Sequence, residues 1–493
     1  MQLKVKASNW SAGLPVVMLN KKTANKIGIH AKERIFLRTI KKNPREISAI
    51  LDIVQKGLKE NEINISLEVK KILKVRAGNK VEVNLSHPPK SLEFIKEKLN
   101  NKVLSEEKIK KIILDIVENR LSEAEIALFI SAVYKNAMNL KEKISLIKAI
   151  LSSGRTFSLK NKYVVDKHSI GGIPGNRTTP LVVAICAAAG LIMPKSSSRA
   201  ITSAAGTADV IETIAKVEFP MNKVKKIVQK TGACMVWGGA LGMVPADSKI
   251  ISVEKQLKID SEALLLSSIM SKKLAVGSKY IIIDIPYGKN AKVSKQKALK
   301  LKRKFEELGK YFKLKLKVVL TEGHEPIGNG IGPVLELRDI LDILDSDKQG
   351  PKDLEKKSLF LAGEIFELTK KARKGKGYDF AKKILDSGKA FDKFKEIIKA
   401  QEGKVIDLKV SKHKKVIYSS KKGIIKEINN KKVNSLARVA GCPIDKYSGI
   451  YLHQHVGDKI NKESKLITLY AESKSRLNEA FKAYNEKDMF SIR

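Results

Sequence analysis

The sequence predicts a multidomain α/β and α+β protein, and three observations carry that reading. Two sequences rich in small residues and hydroxyls, at residues 165–176 and 196–209, lie about thirty residues apart. Between them, residues 179–191 are almost wholly apolar and read as a buried helix. Elsewhere the pattern alternates between short strands and three- and four-residue helical spacing. Loop, helix, strand, loop places both loops at one rim of a sheet. Small residues let an anion approach backbone N–H groups, and hydroxyls with one cation complete a phosphate site without a metal. Two such loops at one rim point to an enzyme that handles phosphate.

At 493 residues the chain is long enough for several domains, and 43% hydrophobic content excludes a largely disordered protein. Met1-Gln2-Leu3-Lys4-Val5-Lys6 alternates like a strand and lacks the apolar centre of a signal peptide, so a cytoplasmic location is expected. The longest apolar run, residues 181–193, is too short to cross a bilayer, so no membrane partner is expected. Cys186, Cys234 and Cys442 are isolated and odd in number, which argues against disulfides and zinc. The net charge of +44 invites a nucleic-acid reading. Lysines are spread along the whole chain, however, and aromatics at 5% offer few stacking platforms, so nucleic acid is not the expected partner. A Lys-rich proteome, with a field that attracts anionic substrates, accounts for the charge.

Residues 1–85 read as a small N-terminal β-rich module. Leu3-Lys4-Val5-Lys6, Pro15-Val16-Val17-Met18-Leu19, Glu33-Arg34-Ile35-Phe36-Leu37-Arg38 and Val81-Glu82-Val83-Asn84-Leu85 alternate as strands, with a short helix at residues 22–27. His87-Pro88-Pro89-Lys90 is a stiff linker. Residues 91–160 form the first segment of a helical domain. Ser105 and Ser122 each precede acidic residues and an apolar helical stripe, which marks two helix starts. Residues 161–243 are the first α/β segment, 244–275 a second helical segment, 276–402 the second α/β segment, and 403–493 a C-terminal α+β domain. Strand signals include Tyr280-Ile281-Ile282-Ile283-Asp284, Lys317-Val318-Val319-Leu320 and Val405-Ile406-Asp407-Leu408, and residues 335–344 read as a helix.

Four motifs resemble the thymidine/pyrimidine nucleoside phosphorylase family, and within it the archaeal AMP phosphorylase branch. They are Asp166-Lys167-His168-Ser169-Ile170-Gly171-Gly172, Ser197-Ser198-Arg199 through Gly206-Thr207-Ala208-Asp209, Ser268-Ile269-Met270-Ser271-Lys272-Lys273-Leu274-Ala275-Val276-Gly277, and Gly328-Asn329-Gly330-Ile331-Gly332-Pro333-Val334-Leu335-Glu336-Leu337. They stand in family order over some 170 residues, and the resemblance covers nearly the whole chain. It implies a helical dimerisation domain built from two segments, a central α/β mixed-sheet domain and a C-terminal α+β domain. It also implies that AMP and inorganic phosphate are substrates, with CMP and UMP as further ones, and that substrates lie between the helical and α/β domains. No cofactor is implied, because phosphate is a co-substrate. The implied assembly is a homodimer through the helical domain, with the N-terminal module joining larger homo-oligomers.

Carried onto this chain, the resemblance makes Lys167, Ser169, Ser197 and Thr207 phosphate ligands. Gly172, Ser198, Arg199, Ala200, Ile201, Thr202, Ser203, Thr207, Ser268, Lys272 and Lys292 become nucleotide ligands, and Asp260 the proton donor to the departing base. Each has a plainer reading beside it. Lys167 and Lys292 could be surface lysines, Thr207 and Asp209 helix caps, and Asp260 the N-cap of the helix that begins near Ser261. His168 reads equally as a ligand or a structural histidine. Taking about 100° per residue, Asp260, Ser268 and Lys272 fall within an arc of roughly 120° on one helix. His453 and His455 alternate as on a strand but lack a carboxylate or cysteine at metal-ligand spacing, so no metal is expected. Ser203 stands where nucleoside-specific members carry a histidine, and Val253 stands near the position of their pyrimidine-holding arginine. Other functions compatible with the residues are a pyrimidine nucleoside phosphorylase, an anthranilate phosphoribosyltransferase-like enzyme and a nucleic-acid-binding scaffold.

Overall fold

Six strands in the first 85 residues close into a barrel, which leaves no sheet edge open to pair outward. They are β1 (Gln2–Ala7), β2 (Val16–Asn20), β3 (Arg34–Thr39), β4 (Glu46–Val54), β5 (Glu62–Ile65) and β6 (Lys80–Leu85), joined in the order β1-β5-β2-β4-β3-β6. β1 with β5 and β2 with β4 run parallel, and the other pairs are antiparallel. Alternate side chains such as Leu3, Val5, Val17, Leu19, Ile35, Leu37, Ile63 and Ile65 fill the interior. Neither β4 nor β5 is among the strands expected from alternation. β4 buries Ile47, Ser48 and Ala49 in succession, which breaks the pattern that reveals a strand, and β5 has only four residues. The computed structural model describes every residue except 8, 86–87, 158, 160–162, 201–202 and 407, and the side chain of Ala7; His87 of the expected linker and Asp407 thus lie outside the described residues.

The barrel belongs to one compact unit, Met1–Ser153 with Pro245–Ser268. Its helices Ser91–Leu99, Glu106–Val117, Glu123–Lys135, Leu140–Ser152 and Pro245–Leu257 include several that start where side chains satisfy the first free amides. The Ser122 hydroxyl accepts from the Glu125 amide at 3.2 Å, and Glu125 accepts from the Ser122 amide at 2.6 Å. Ser105 and Asn139 side chains likewise accept from amides at the starts of the neighbouring helices. Ile109, Ile112, Ile113, Phe129, Ile130 and Ile147 are fully buried between them. Lys249 donates to the carbonyls of Ile116 and Val117 at 2.9 and 2.8 Å, and Arg34 of β3 donates to the carbonyl of Asn119. Two cations thus sit on the carbonyl end of one helix, where its dipole favours positive charge.

The second unit is Gly154–Val244 with Ile269–Arg493. Its strands include β7 (Val165–Ser169), β8 (Met193–Ser197), β9 (Ala233–Trp237), β10 (Tyr280–Tyr287) and β11 (Lys315–Glu322). β11-β10-β7 form one sheet and β8-β9 another, and a bridge between Val164 and Ile192 links the two. Every described pairing among these strands is parallel, in place of the expected mixed sheet. Crossover helices explain this: Thr178–Ala188 follows β7 and Lys295–Tyr311 follows β10, and such connections return the chain in the same direction. Thr178–Ala188 is buried along almost its whole length. The last strands are antiparallel: Gly330–Ile331, Gly449–Leu452, Lys465–Ala471 and His413–Tyr418 make one sheet, and Lys459–Ile460, Gly423–Ile428 and Phe490–Ile492 another. Val405, Ile406 and Leu408 do not form the expected strand. Val405 and Leu408 instead pack on the α/β core, and the Lys404 amide donates to the Ile214 carbonyl. No described helix is long and apolar enough to cross a membrane.

Candidate active site

β7 carries a line of charges into the sheet. Asp166 is buried between two ammonium groups, with Lys195 Nζ 3.0 Å from one carboxylate oxygen and Lys273 Nζ 2.6 Å from the other. Burial pushes the Asp166 carboxyl up, but these two cations outweigh it and hold it below the ordinary carboxylate range. Lys195 also donates to the Lys167 carbonyl at 2.7 Å, so the triad grips the backbone of the first loop as well. Lys167 is itself 1% exposed, and its ammonium donates to Thr178 Oγ1 at 2.5 Å. Burial, helped by the cations of Lys357, Lys195 and Arg177 and opposed by Asp284, brings Lys167 down to about 7. Enclosure and the neighbouring Lys273, Lys195, Lys272 and Lys167 hold His168 well below its usual range.

After β7 the chain turns through Ser169 to Gly172. The Ser169 hydroxyl accepts from the Gly171 amide at 3.5 Å. Gly172 has φ +97°, a backbone that side chains rarely adopt, and it lies against Lys292. The exposed Lys292 borders an open cleft of about 430 Å³ lined also by Tyr287, Gly288, Ser294, Lys295 and His324. Nearby Lys289 is paired with Glu427 at 2.9 Å.

The second loop begins where β8 ends. Among the described residues, the buried Ser196 and Ser197 hydroxyl oxygens have no hydrogen-bond partner, while Ser198 is exposed. Asp209 accepts from the amides of Ala200 and Gly206 at 2.7 and 2.8 Å, which folds the loop back on itself. Asp209 therefore does bond at the helix start, whereas Thr207 is the first helical residue of Thr207–Ile211 and does not hold the cap position. Arg199 is committed to carboxylates: Glu212 at 2.7 Å through two bonds, Glu218 at 2.9 Å and Asp209 at 3.3 Å, with Trp237 under its guanidinium. Ser203 donates to the Ala205 carbonyl at 2.9 Å. Ile201 and Thr202 lie outside the described residues.

Asp260 is exposed and sits before the helix Glu262–Ala275, not in it. The Ser261 carbonyl accepts the first intrahelical bond, from Leu265, so Ser261 holds the N-cap position. Asp260 is therefore neither the N-cap nor a member of the helical arc with Ser268 and Lys272, which lie one turn apart farther along. Lys258 sits in a turn with φ +54°, and Ile259 to Ser261 stay outside regular structure. Val253 is buried, so that position offers apolar packing and no donor. His453 and His455 follow the strand Gly449–Leu452, and each is engaged locally: His453 with Thr468 at 2.8 Å, His455 with Asn329 at 2.9 Å and Glu325 at 3.3 Å.

Family models match three parts of the chain. The glycosyl transferase helical bundle domain matches residues 92–154, the glycosyl transferase a/b domain residues 161–391, and the pyrimidine nucleoside phosphorylase C-terminal domain residues 424–489. The chain is 41% identical to the AMP phosphorylase of Pyrococcus furiosus over 97% of its length and 95% of that protein's. It is 40% identical to the AMP phosphorylase of Thermococcus kodakarensis with the same coverage, and 38% identical to that of Methanococcus aeolicus, again over 97% and 95%. The chain belongs to the AMP phosphorylase branch of the pyrimidine nucleoside phosphorylase family. An anthranilate phosphoribosyltransferase from Thermus thermophilus superposes with a TM-score of 0.52 at 18% identity, over 63% of this chain and 99% of that one, which shows a shared fold.

Within this AMP phosphorylase-family chain, the buried charges have no individual signal in the sequence. Asp166 and Lys273 are visible there only as letters of family motifs. Lys195, Arg177 and Thr178 look like ordinary residues of a basic chain. Glu336 is likewise only a motif letter, and it proves to be a buried partner of Arg177 at 2.6 Å.

Proposed function

We propose that this protein catalyses the reversible phosphorolysis of AMP, converting AMP and inorganic phosphate to adenine and ribose 1,5-bisphosphate in the cytoplasm, with CMP and UMP as further substrates. The observation that carries this reading is the pair of anion loops at one rim of the second unit, in a chain 41% identical to an AMP phosphorylase over nearly its full length. Lys167, Ser169, Ser197 and Thr207 take inorganic phosphate. The Ser197 hydroxyl, unpartnered among the described residues, supports this, since a buried donor without a partner costs free energy that an anion recovers. Gly172, Ser198, residues 200–203, Thr207, Ser268, Lys272 and Lys292 take the nucleotide, with Lys292 on its 5′-phosphate, while the Arg199 side chain stays with its carboxylates.

A phosphate oxygen forms the new bond to C1′ as the bond from C1′ to the base nitrogen breaks. The bonding electrons leave with the base, and Asp260 supplies the proton that neutralises it. Ser203 and Val253 favour this reading over a pyrimidine nucleoside phosphorylase, because neither side chain reproduces the base-holding pair of those enzymes. The protein works as a homodimer through its helical domain, and the barrel joins dimers into larger particles. The deciding assay compares AMP, CMP, UMP and their nucleosides with phosphate and identifies the sugar product. Ribose 1,5-bisphosphate from AMP is expected; turnover of nucleosides alone, with ribose 1-phosphate released, would overturn the assignment.

A further inference from the structure

The hydrogen bonds of Arg177 tie the first loop to both the second loop and the helix Pro333–Leu344. Arg177 follows the first loop directly, at the entrance to the helix Thr178–Ala188. Its Nη2 donates to the Ala205 carbonyl at 2.7 Å and its Nη1 to Thr207 Oγ1 at 3.1 Å, both in the second loop. Its Nε donates at 2.6 Å to Glu336, which also accepts from the Gly332 amide at 3.2 Å. The Glu336 side chain is 1% exposed and that of Arg177 13%. Each of the three guanidinium nitrogens thus has its own acceptor, in a fixed planar fork that an ammonium cannot reproduce.

The bond to Thr207 has a chemical consequence. A hydroxyl has one proton to donate and two lone pairs that accept. Arg177 occupies an accepting position on Thr207 Oγ1, and among the described residues no acceptor takes the Thr207 proton. That proton is left for an anion. We propose that Arg177 is a positioning residue for inorganic phosphate: it locks the two anion loops together and orients the Thr207 hydroxyl as a donor, while Glu336 balances its charge. This inference rests on the phosphorolysis reading and deepens it.

The test is phosphate saturation of the full-length enzyme with AMP, for Arg177→Ala, Arg177→Lys, Thr207→Val and the Arg177→Ala/Thr207→Val double variant. Loss of a charge-assisted bond predicts a phosphate KM raised roughly tenfold or more in Arg177→Ala, with AMP saturation changed less. Because Arg177 acts through Thr207, the double variant should be hardly worse than the worse single one. Millimolar guanidinium should restore phosphate saturation in Arg177→Ala and not in Thr207→Val. A purely structural role would give additive losses and no such selective rescue, and either result would overturn the proposal. Should Arg177→Ala fail to fold, Arg177→Lys keeps a cation beside Glu336 and carries the test; an unchanged phosphate KM there also overturns it. Calorimetry with inorganic phosphate alone separates the two readings. If the wild type consumes no AMP, phosphorolysis is wrong, yet weaker phosphate binding by Arg177→Lys than by the wild type still supports this inference.

Discussion

A Cβ on Gly172 would fall 2.9 Å from both the backbone nitrogen and the Cβ of Lys292, so the first anion loop and the lysine assigned to the 5′-phosphate are packed backbone to backbone. With φ at +97°, Gly172→Ala also carries a backbone strain of roughly 1–3 kcal/mol. The clash is with main chain and cannot be relieved by a side-chain rotation. Gly172→Ala should therefore raise the KM for AMP more than that for phosphate. Saturation curves in each substrate check this, and unchanged AMP saturation in a folded variant would dissociate Gly172 from nucleotide binding.

Lys167 should make the proposed phosphate site sensitive to pH. Its folded value of about 7 lies below the ordinary 10.5, so between these values the unfolded chain holds a proton that the folded chain has lost. Stability from this group is fully present above about pH 10.5 and is lost as pH falls toward 7. Phosphate binding favours the ammonium, so above about pH 7 it should be accompanied by proton uptake, and apparent affinity should fall by up to about tenfold per pH unit. Lys167→Met should weaken phosphate saturation and flatten both profiles. Calorimetry in buffers of different ionisation enthalpy would detect the proton, and a phosphate response identical to wild type would remove Lys167 from the site.

Asp166→Asn leaves Lys195 and Lys273 buried without their counter-charge. Breaking a buried ion network from one side costs roughly 3–5 kcal/mol, so the denaturation midpoint should drop sharply. Adding Lys273→Met should recover part of the loss, since it removes one of the stranded charges. A stability loss below about 1 kcal/mol, typical of exposed pairs, would show that water reaches the triad.

Asp260→Asn isolates proton donation. Ser261, not Asp260, stands at the helix N-cap, so the variant keeps the cap. Loss of general-acid assistance typically lowers the rate on the order of 10²–10⁴-fold, and AMP phosphorolysis should fall by that order. Full activity in this variant would mean the proton comes from another group.

Light scattering at micromolar concentration should find dimers or larger particles, and monomers alone would contradict the proposed assembly. Deleting residues 1–85 should reduce the particle size, and the closed barrel they form has a hydrophobic cluster of its own. An unchanged size would take the assembly role from the barrel.

Local chemistry is readable in the chain. Ser105 and Ser122 start helices because a hydroxyl next to acidic residues satisfies free amides within one turn, and the first loop bends at Gly171 and Gly172, where the sequence has no side chain to resist it. Alternation reveals four strands of the barrel module, but not β4 and β5, which close it. The charged interior belongs wholly to the tertiary structure. Asp166 meets Lys195 and Lys273 from positions 29 and 107 residues away, and Arg177 meets Glu336 across 159 residues. With 96 lysines and arginines in the sequence, those few look like any solvated cation. Arg199 illustrates the same point: its motif suggests a nucleotide ligand, and the fold surrounds it with Asp209, Glu212 and Glu218. Periodicity and capping act over a few residues and are written in order along the chain, whereas burial and charge pairing depend on which distant segments the sheet brings side by side.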